Sequence, residues 1–313
     1  MQRQKIVLMV LIAVLICIPI AYFGRLYIVF RRATGPTQPD PPDQPPPETD
    51  STVQALTVLL LGIDIEDLEV PTSSARSDVI VLLRFDLVSL KVDLLSIPRD
   101  TLVEIPEHGM DKINHAFAFG GGPRRSTGAW LTRQTVANFL GLEGIDHTVV
   151  VDMNSVPKLV NALGGVEMDI EVKSDLFPSG HCTLDGEQAL SFLRWRSDAL
   201  GDIGRVARQQ QFALAVMREL QRLEFGTELL DLIFYTLTEV RTDISLERAL
   251  TLAAKFRGLT PDDVATHVIP GRYETRQGIC YWIPDLAATE SLVQEIFPSD
   301  QERQGGPQRV YTR

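Results

Sequence analysis

The sequence predicts an α/β fold: one globular domain with a central mixed β-sheet flanked by helices, preceded by a single N-terminal transmembrane helix. Three observations predict it. Apolar runs of strand length alternate with segments of helical period across residues 54–298. Glycines stand at the ends of several helical segments, where a chain leaves a helix most easily. An uncharged, apolar stretch of 18 residues, Ile6 to Phe23, lies near the N-terminus.

That stretch, IVLMVLIAVLICIPIAYF, is just long enough to span a bilayer, which takes roughly 17–25 residues. A cleaved signal peptide is the alternative. Its apolar region usually runs about 7–15 residues and ends at small residues, whereas here Tyr22, Phe23, Gly24 and Arg25 follow. The segment 1–33 therefore reads as a basic end plus an uncleaved anchor. Lys and Arg lie on both sides of the span, so the positive-inside rule barely decides orientation. A short anchor before a large domain usually exports that domain, which places the N-terminus inside. Residues 34–53 form a linker. Seven of the twelve residues from Pro36 to Pro47 are proline, a composition for extended polyproline II. At about 3.1 Å per residue such a tether reaches about 60 Å. Residues 299–313 read as a polar tail.

Within the domain, Leu56–Leu61, Val79–Phe85 and Lys91–Ile97 read as strands, the last two joined by a hairpin turn at Asp86–Leu90. Trp130–Leu140 fits a helix closed by Gly141, and Thr148–Asp152 a strand. Val156, Leu159, Val160 and Leu163 repeat at helical spacing before Gly164 and Gly165. Val166–Val172 reads as a strand, and Glu187–Trp195, Gly204–Arg222 and Leu246–Arg257 as helices. Val206, Ala213, Met217 and Leu220 are the expected apolar stripe of the second of these.

Composition narrows the function. The chain has 313 residues, 44% hydrophobic and 23% charged, with three cysteines and a net charge of −11. This excludes disordered, collagenous and multi-span membrane classes, a disulfide-dense scaffold, and a zinc site of four cysteines. The acid excess argues against nucleic acid as a partner. The average hides an asymmetry. Residues 1–33 hold five Lys/Arg and no acid, so the remainder carries 25 basic against 41 acidic residues.

Three constellations bear chemistry. Gly62-Ile63-Asp64 follows the first strand and Arg76-Ser77-Asp78 precedes the second. Two acids at neighbouring strand ends are either a solvated pair or a site for a hard cation such as Mg2+. In Ser96-Ile97-Pro98-Arg99-Asp100-Thr101, proline stops a strand and an Arg-Asp pair follows at once, as a surface ion pair in a loop would. The densest is Arg194-Trp195-Arg196-Ser197-Asp198, then Gly201-Asp202-Ile203-Gly204-Arg205, then Arg208-Gln209-Gln210-Gln211. It holds four arginines within 15 residues of an acidic chain. Asp202 stands just ahead of the expected helix, while Arg205, Arg208 and Gln209 share one helical face. This is either a solvated helix face or an anion site, since guanidinium forks are the natural donors to phosphate.

The ordered segments SDVIVLLRFD, LLSIPRDTLVEIP, DKINHAFAFGG, VVVDMNSVPKLVNALGGVEMDI, LDGEQALSFLRWRSDALGDIGRVARQQQF and YWIPD resemble the LytR-CpsA-Psr family of bacterial cell-envelope proteins. The resemblance covers about Leu56 to Phe297, and the anchor and linker match the family layout. It implies the family's α/β fold and a phosphotransferase that moves a glycopolymer from a polyprenyl-diphosphate carrier to peptidoglycan. It also implies a long apolar cavity for the lipid and an Arg-rich mouth with Mg2+, Mn2+ being the alternative ion. By position, Asp64 and Asp78 match the metal-binding acids. Arg99, Arg194, Arg196, Arg205 and Gln209 match diphosphate-binding and catalytic residues. Arg76 and Asp202 match supporting positions, and Lys112 and Asn114 fit the DKIN motif. Trp195 stands where the pattern suggests Phe.

Phosphoryl transfer asks for positioning and charge neutralisation, which metal and arginines supply. The general base falls to Asp202 or a metal-bound acid. A hydrolase that cleaves the lipid diphosphate uses the same residues, and a non-catalytic carrier-binding regulator is a third reading. Cys17 lies in the anchor. Cys182 and Cys280 form the one possible pair in the domain, bonded or free. His108, His115, His147, His181 and His267 show no ligand spacing and read as surface or packing residues.

Overall fold

The computed structural model describes residues 54–64, 75–122, 127–195, 201–222, 240–256 and 258–298. The span at 6–23, the linker at 34–53, Arg196 and the tail at 299–313 lie outside them. Among the described residues no helix is long and apolar enough to cross a membrane.

In chain order the elements are β1 (Ala55–Ile63), β2 (Ser77–Asp86), β3 (Lys91–Ser96), β4 (Leu102–Ile105), β5 (Gly109–Lys112), α1 (His115–Phe119) and α2 (Thr127–Leu140). They continue with β6 (His147–Asp152), α3 (Val156–Ala162), β7 (Val166–Ile170), β8 (Gly180–Leu184), α4 (Gly186–Arg194) and α5 (Gly201–Arg222). The last are β9 (Val240–Thr242), α6 (Leu246–Lys255), β10 (Val264–Val268), β11 (Gly271–Arg276), β12 (Ile279–Pro284) and α7 (Leu286–Ile296). The central sheet has six strands in the order β10-β3-β2-β1-β6-β9. It is mixed: β1 runs antiparallel to β2 and parallel to β6. The hairpin expected at Asp86–Leu90 joins β2 to β3, with Leu90 at φ 57°.

Side chains alternate across a strand, and the two sheet faces have different fates. Leu59, Leu61, Ile63, Ile80, Leu82 and Leu95 point to one face and form the main core with Phe117, Val136, Leu140, Val293 and Ile296 of α1, α2 and α7. On the opposite face of β1, β2 and β6, Val58 and Val81 are buried, Leu60, Leu83, Val149 and Val151 are half-buried, and Val79 packs against further apolar side chains. A second core lies alongside, built from α3, β7, β8, α4 and α5 around Val160, Met168, Phe192 and Phe212.

Several expectations need correction. Helix α5 begins at Gly201, not Gly204, so Asp202 sits inside its first turn rather than ahead of it. The buried side of α5 is not the expected stripe. Ala213 is exposed and Leu220 is 42% exposed, whereas Arg205, Val206, Arg208, Phe212 and Ala215 are buried. The helix faces the second core with Phe212 and Ala215, and Arg205 and Arg208 of its four arginines are buried as well. Strand β7 stops at Ile170, short of Val172. Cys182 and Cys280 are free and stand on different hairpins, β7–β8 and β11–β12. Burial holds the Cys182 thiol above its ordinary pKa.

Four of the five histidines touch a carboxylate: His115 with Asp111, His147 with Asp243, His181 with Glu167 and Asp169, and His267 with Asp93. These pairs join neighbouring elements. At His181 the acceptors Asp169 and Glu167 raise the imidazole pKa, and Arg222 of α5, bonded to Glu167 at 2.6 Å, lowers that carboxyl.

Helix α4 is held at its start by a capping box. Gln188 N donates to Asp185 Oδ1 at 2.9 Å, and Asp185 N donates to Gln188 Oε1 at 3.1 Å. Gly186 follows because a Cβ there would lie 2.2 Å from the Pro157 carbonyl oxygen. Gly186→Ala is therefore expected to destabilise the domain by about 1–3 kcal/mol, the usual cost of overpacking. Denaturant unfolding checks it.

Candidate functional site

The site assembles at one end of β1. The register pairs Gly62 with Val79 and Ile63 with Ser77. Asp78 is thus the extra residue of a bulge, a local device that re-aims a side chain at a sheet edge. Because β6 runs parallel to β1 with Ile63 beside Asp152, the chain just past β6 arrives next to Asp64. Asp152 then caps the following turn by accepting from Asn154 N at 2.9 Å, which fixes Asn154 there.

Two groups of polar residues result. In the first, Arg194 Nη2 donates to Asp64 Oδ1 at 2.7 Å and to Asn154 Oδ1 at 2.9 Å. Arg194 is the last residue of α4, an end that favours a cation through the helix dipole. In the second, Arg99 Nη1 donates to both carboxylate oxygens of Asp78, each at 2.9 Å. Arg99 Nε lies 3.7 Å from Asp100, and Asp100 takes Lys112 Nζ at 2.7 Å. The Arg99 side chain is 16% exposed, so the pair is not the solvated loop contact that spacing alone suggests. Asn114 is 3% exposed, donates its backbone N–H to Arg99 O at 3.2 Å, and keeps its Oδ1 buried without a hydrogen-bond partner.

The remaining candidates are placed as follows. Arg205 is buried on α5 at 3% exposure. Arg208, its neighbour one turn on, donates to the Trp195 carbonyl at 2.5 Å and lies 4.9 Å from the Trp195 ring centroid. The indole thus serves as a cation–π platform. Gln209 is half-buried, while Gln210 ties α5 to the sheet through Ser96 Oγ and the His267 carbonyl, both at 2.9 Å. Arg76 is exposed and joins none of these contacts among the described residues. Asp202 is placed only by its position in α5, and Arg196 lies outside the described residues.

Sequence reasoning missed Asn154 and gave Asp100 no role. No spacing rule links Asn154 to a partner 40 residues away, and only the parallel β1–β6 pairing brings them together. The three acids and three basic side chains of these two groups, with half-buried Leu60, Val149 and Val151 on the neighbouring sheet face, make an arrangement suited to an anion carrying an apolar tail.

Comparison with known proteins agrees. The model of the LytR_cpsA_psr family matches residues 33–297. A polyisoprenyl-teichoic acid–peptidoglycan teichoic acid transferase TagU of Oceanobacillus iheyensis is 36% identical over 80% of this chain and 77% of its own length. The protein of the same name from Bacillus subtilis is 29% identical over 78% of this chain and 77% of its own. Among solved structures, B. subtilis TagV superposes with a TM-score of 0.64 at 28% identity, covering 78% of this chain and 97% of that one. TagT bound to LIIa-WTA gives 0.62 at 29% identity, covering 79% and 92%. Family match, relatives and fold converge, and this chain is a member of the LytR_cpsA_psr family.

Proposed function

We propose that this protein is a phosphotransferase that moves a glycopolymer from a polyprenyl-diphosphate lipid carrier to peptidoglycan. The observation that carries the reading is the pair of Arg–Asp contacts, Arg194 with Asp64 and Arg99 with Asp78, at one end of β1 and β2. On the sheet face beside them Leu60, Val149 and Val151 are half-buried apolar side chains. A prenyl diphosphate needs these two surfaces adjoining. The names of the curated relatives, teichoic acid transferases acting from polyisoprenyl to peptidoglycan, support the same reading.

In this reaction an acceptor sugar hydroxyl attacks the phosphorus that bears the glycan. The new O–P bond forms as the bond to the bridging oxygen breaks, and polyprenyl monophosphate leaves with that electron pair. The hydroxyl proton passes to a carboxylate, Asp202 or one of the strand-end acids. Arg99, Arg194, Arg196 and Arg205 bind and orient the phosphates and take the negative charge that develops on the leaving group. Gln209, Lys112, Asn114 and Arg76 support that set.

Asp64 and Asp78 fit a cation shared with substrate. Their side chains are 33% and 26% exposed and sit on adjacent strand ends. Mg2+ commonly takes one or two carboxylates and completes its shell with phosphate oxygens and water. Among the described residues no three His, Cys, Asp or Glu gather as a self-sufficient metal site. Bound there, Mg2+ or Mn2+ supplies neutralisation of phosphate oxygens. We place the domain outside the cell membrane, held by the anchor expected at residues 6–23 with its N-terminus in the cytoplasm.

The test is the fate of label. Lipid-linked glycan, radiolabelled at the glycan-bearing phosphate, is incubated with the full chain, Mg2+ and peptidoglycan. Label covalently bound to peptidoglycan is expected. Label released on glycan phosphate makes the protein a hydrolase, and binding without turnover makes it a carrier-binding regulator.

A further inference from the structure

The β11–β12 hairpin is an uncovered arm rooted in the site. Five of the six residues of β11 are exposed. Its turn, Gln277–Gly278, has φ values of 51° and 81°, the two-residue geometry that matches strand twist. An isolated two-stranded hairpin is marginal in water, and this one is anchored at its base. Trp282 N donates to Asp100 O at 2.8 Å, Trp282 Nε1 donates to the Ile269 carbonyl at 3.2 Å, and the Tyr273 ring packs edge-on to Trp282.

The register pairs Arg272 with Ile283, Glu274 with Tyr281, and Arg276 with Ile279, so these six side chains share one face. Arg272 and Arg276 have side chains 74% and 50% exposed, and both lean on Glu274, at 3.5 and 2.7 Å. At the root of the face Lys112 Nζ stands 5.5 Å from the Tyr281 ring centroid and 2.7 Å from Asp100, the neighbour of Arg99. Residues 271–284 carry two arginines against one acid, in a chain whose net charge is −11. The two guanidiniums, from positions four residues apart on the strand, converge on the Glu274 carboxylate between them and form one compact cationic group.

We infer that this face is a docking surface for an anionic glycan strand, namely the phosphate-bearing polymer of the donor where it leaves the reaction centre. That identification of the polymer rests on the proposed function. Guanidinium forks suit phosphate oxygens better than point charges do. Tyr281, Ile279 and Ile283 offer apolar ground for the sugar faces between them. Lys112 links this ledge to the Arg99 group, so polymer held on it stays in line with the phosphate being transferred.

The test has two arms, both on the full-length chain. The first is calorimetric binding of soluble, lipid-free poly(glycerol phosphate) at low ionic strength. The wild type is expected to bind it, and not neutral dextran of equal length. R272E/R276E is expected to weaken binding about tenfold, with R272K/R276K intermediate, in keeping with two lost charge-assisted contacts. No binding by the wild type, or equal binding by the charge-reversed variant, overturns the inference. The second arm compares donors carrying a long anionic polymer or a single disaccharide. R272E/R276E should raise KM for the long donor about tenfold and leave the short donor unchanged. Equal loss on both donors, or a rise confined to the KM for peptidoglycan, overturns it. If the wild type transfers neither donor, the proposed function fails, and the binding arm still judges the docking face.

Discussion

Arg99→Ala is expected to lower transfer about 10²–10³-fold in kcat, with a smaller change in KM for the lipid donor. That is the usual loss when one preorganised donor to a developing negative charge is removed. The geometry explains why a single side chain carries so much. Pro98 ends β3 and turns the chain, and Arg99 reaches back across 21 residues to both oxygens of Asp78. The carboxylate fixes the guanidinium before any substrate arrives, so no reorganisation cost falls on the reaction. The substitution also removes the Arg99–Asp78 ion pair, whose side chains are 16% and 26% exposed, and breaking such a partly buried pair costs stability. Arg99→Lys separates the two effects. It keeps a charge near Asp78 and so holds the fold, but lacks the planar fork and should stay well below wild-type kcat. Circular dichroism and thermal melting report the fold, and steady-state kinetics the transfer. Wild-type kcat in a folded Arg99→Ala protein would remove Arg99 from the reaction.

Asp78→Asn is expected to lower transfer by about 10²–10³-fold and to leave the residue insensitive to added Mg2+. A cation that neutralises phosphate oxygens contributes several kcal/mol at the transition state, and each 1.36 kcal/mol is about tenfold. The amide keeps the shape of the carboxylate, so the bulge and the pairing of Ile63 with Ser77 should survive. The check is activity against Mg2+ concentration for wild type, Asp78→Asn and Asp64→Asn. Loss of metal dependence in both variants assigns the ion to the pair. A variant that is slower but retains the wild-type Mg2+ midpoint would assign its acid to holding its arginine, Arg99 or Arg194, rather than metal.

The parts of this fold that sequence made legible are those with a strong period. LTVLLL, VIVLLRF and KVDLLSI became β1, β2 and β3 within two residues at each end, because buried strands read as apolar runs. The helix closed by Gly141 and the capped α4 were equally plain. Strands β4, β5, β8, β9, β10, β11 and β12 were not. Of these β4, β5 and β9 are only three or four residues long, and β11 is exposed on both faces, so no alternation marks it. The buried side of α5 misled for the opposite reason: it carries arginines where an apolar stripe is expected. At the site, Asp64, Asp78, Arg99 and Arg194 came from residue type, position at strand ends and ordered motifs. Their pairing did not, since Asp64 and Arg194 lie 130 residues apart. Asn154 needed the parallel neighbour strand to become visible at all.

The self-paired state of the mouth has a thermodynamic consequence. Arg194 and Arg99 already hold carboxylates as internal counter-ions. A naked basic cleft would condense small anions and release them on binding, which makes affinity fall steeply with salt. Here the guanidinium charges are already balanced within the protein by Asp64 and Asp78, so few small anions are held at the mouth to be released. Binding of an anion at this mouth is then expected to depend little on ionic strength.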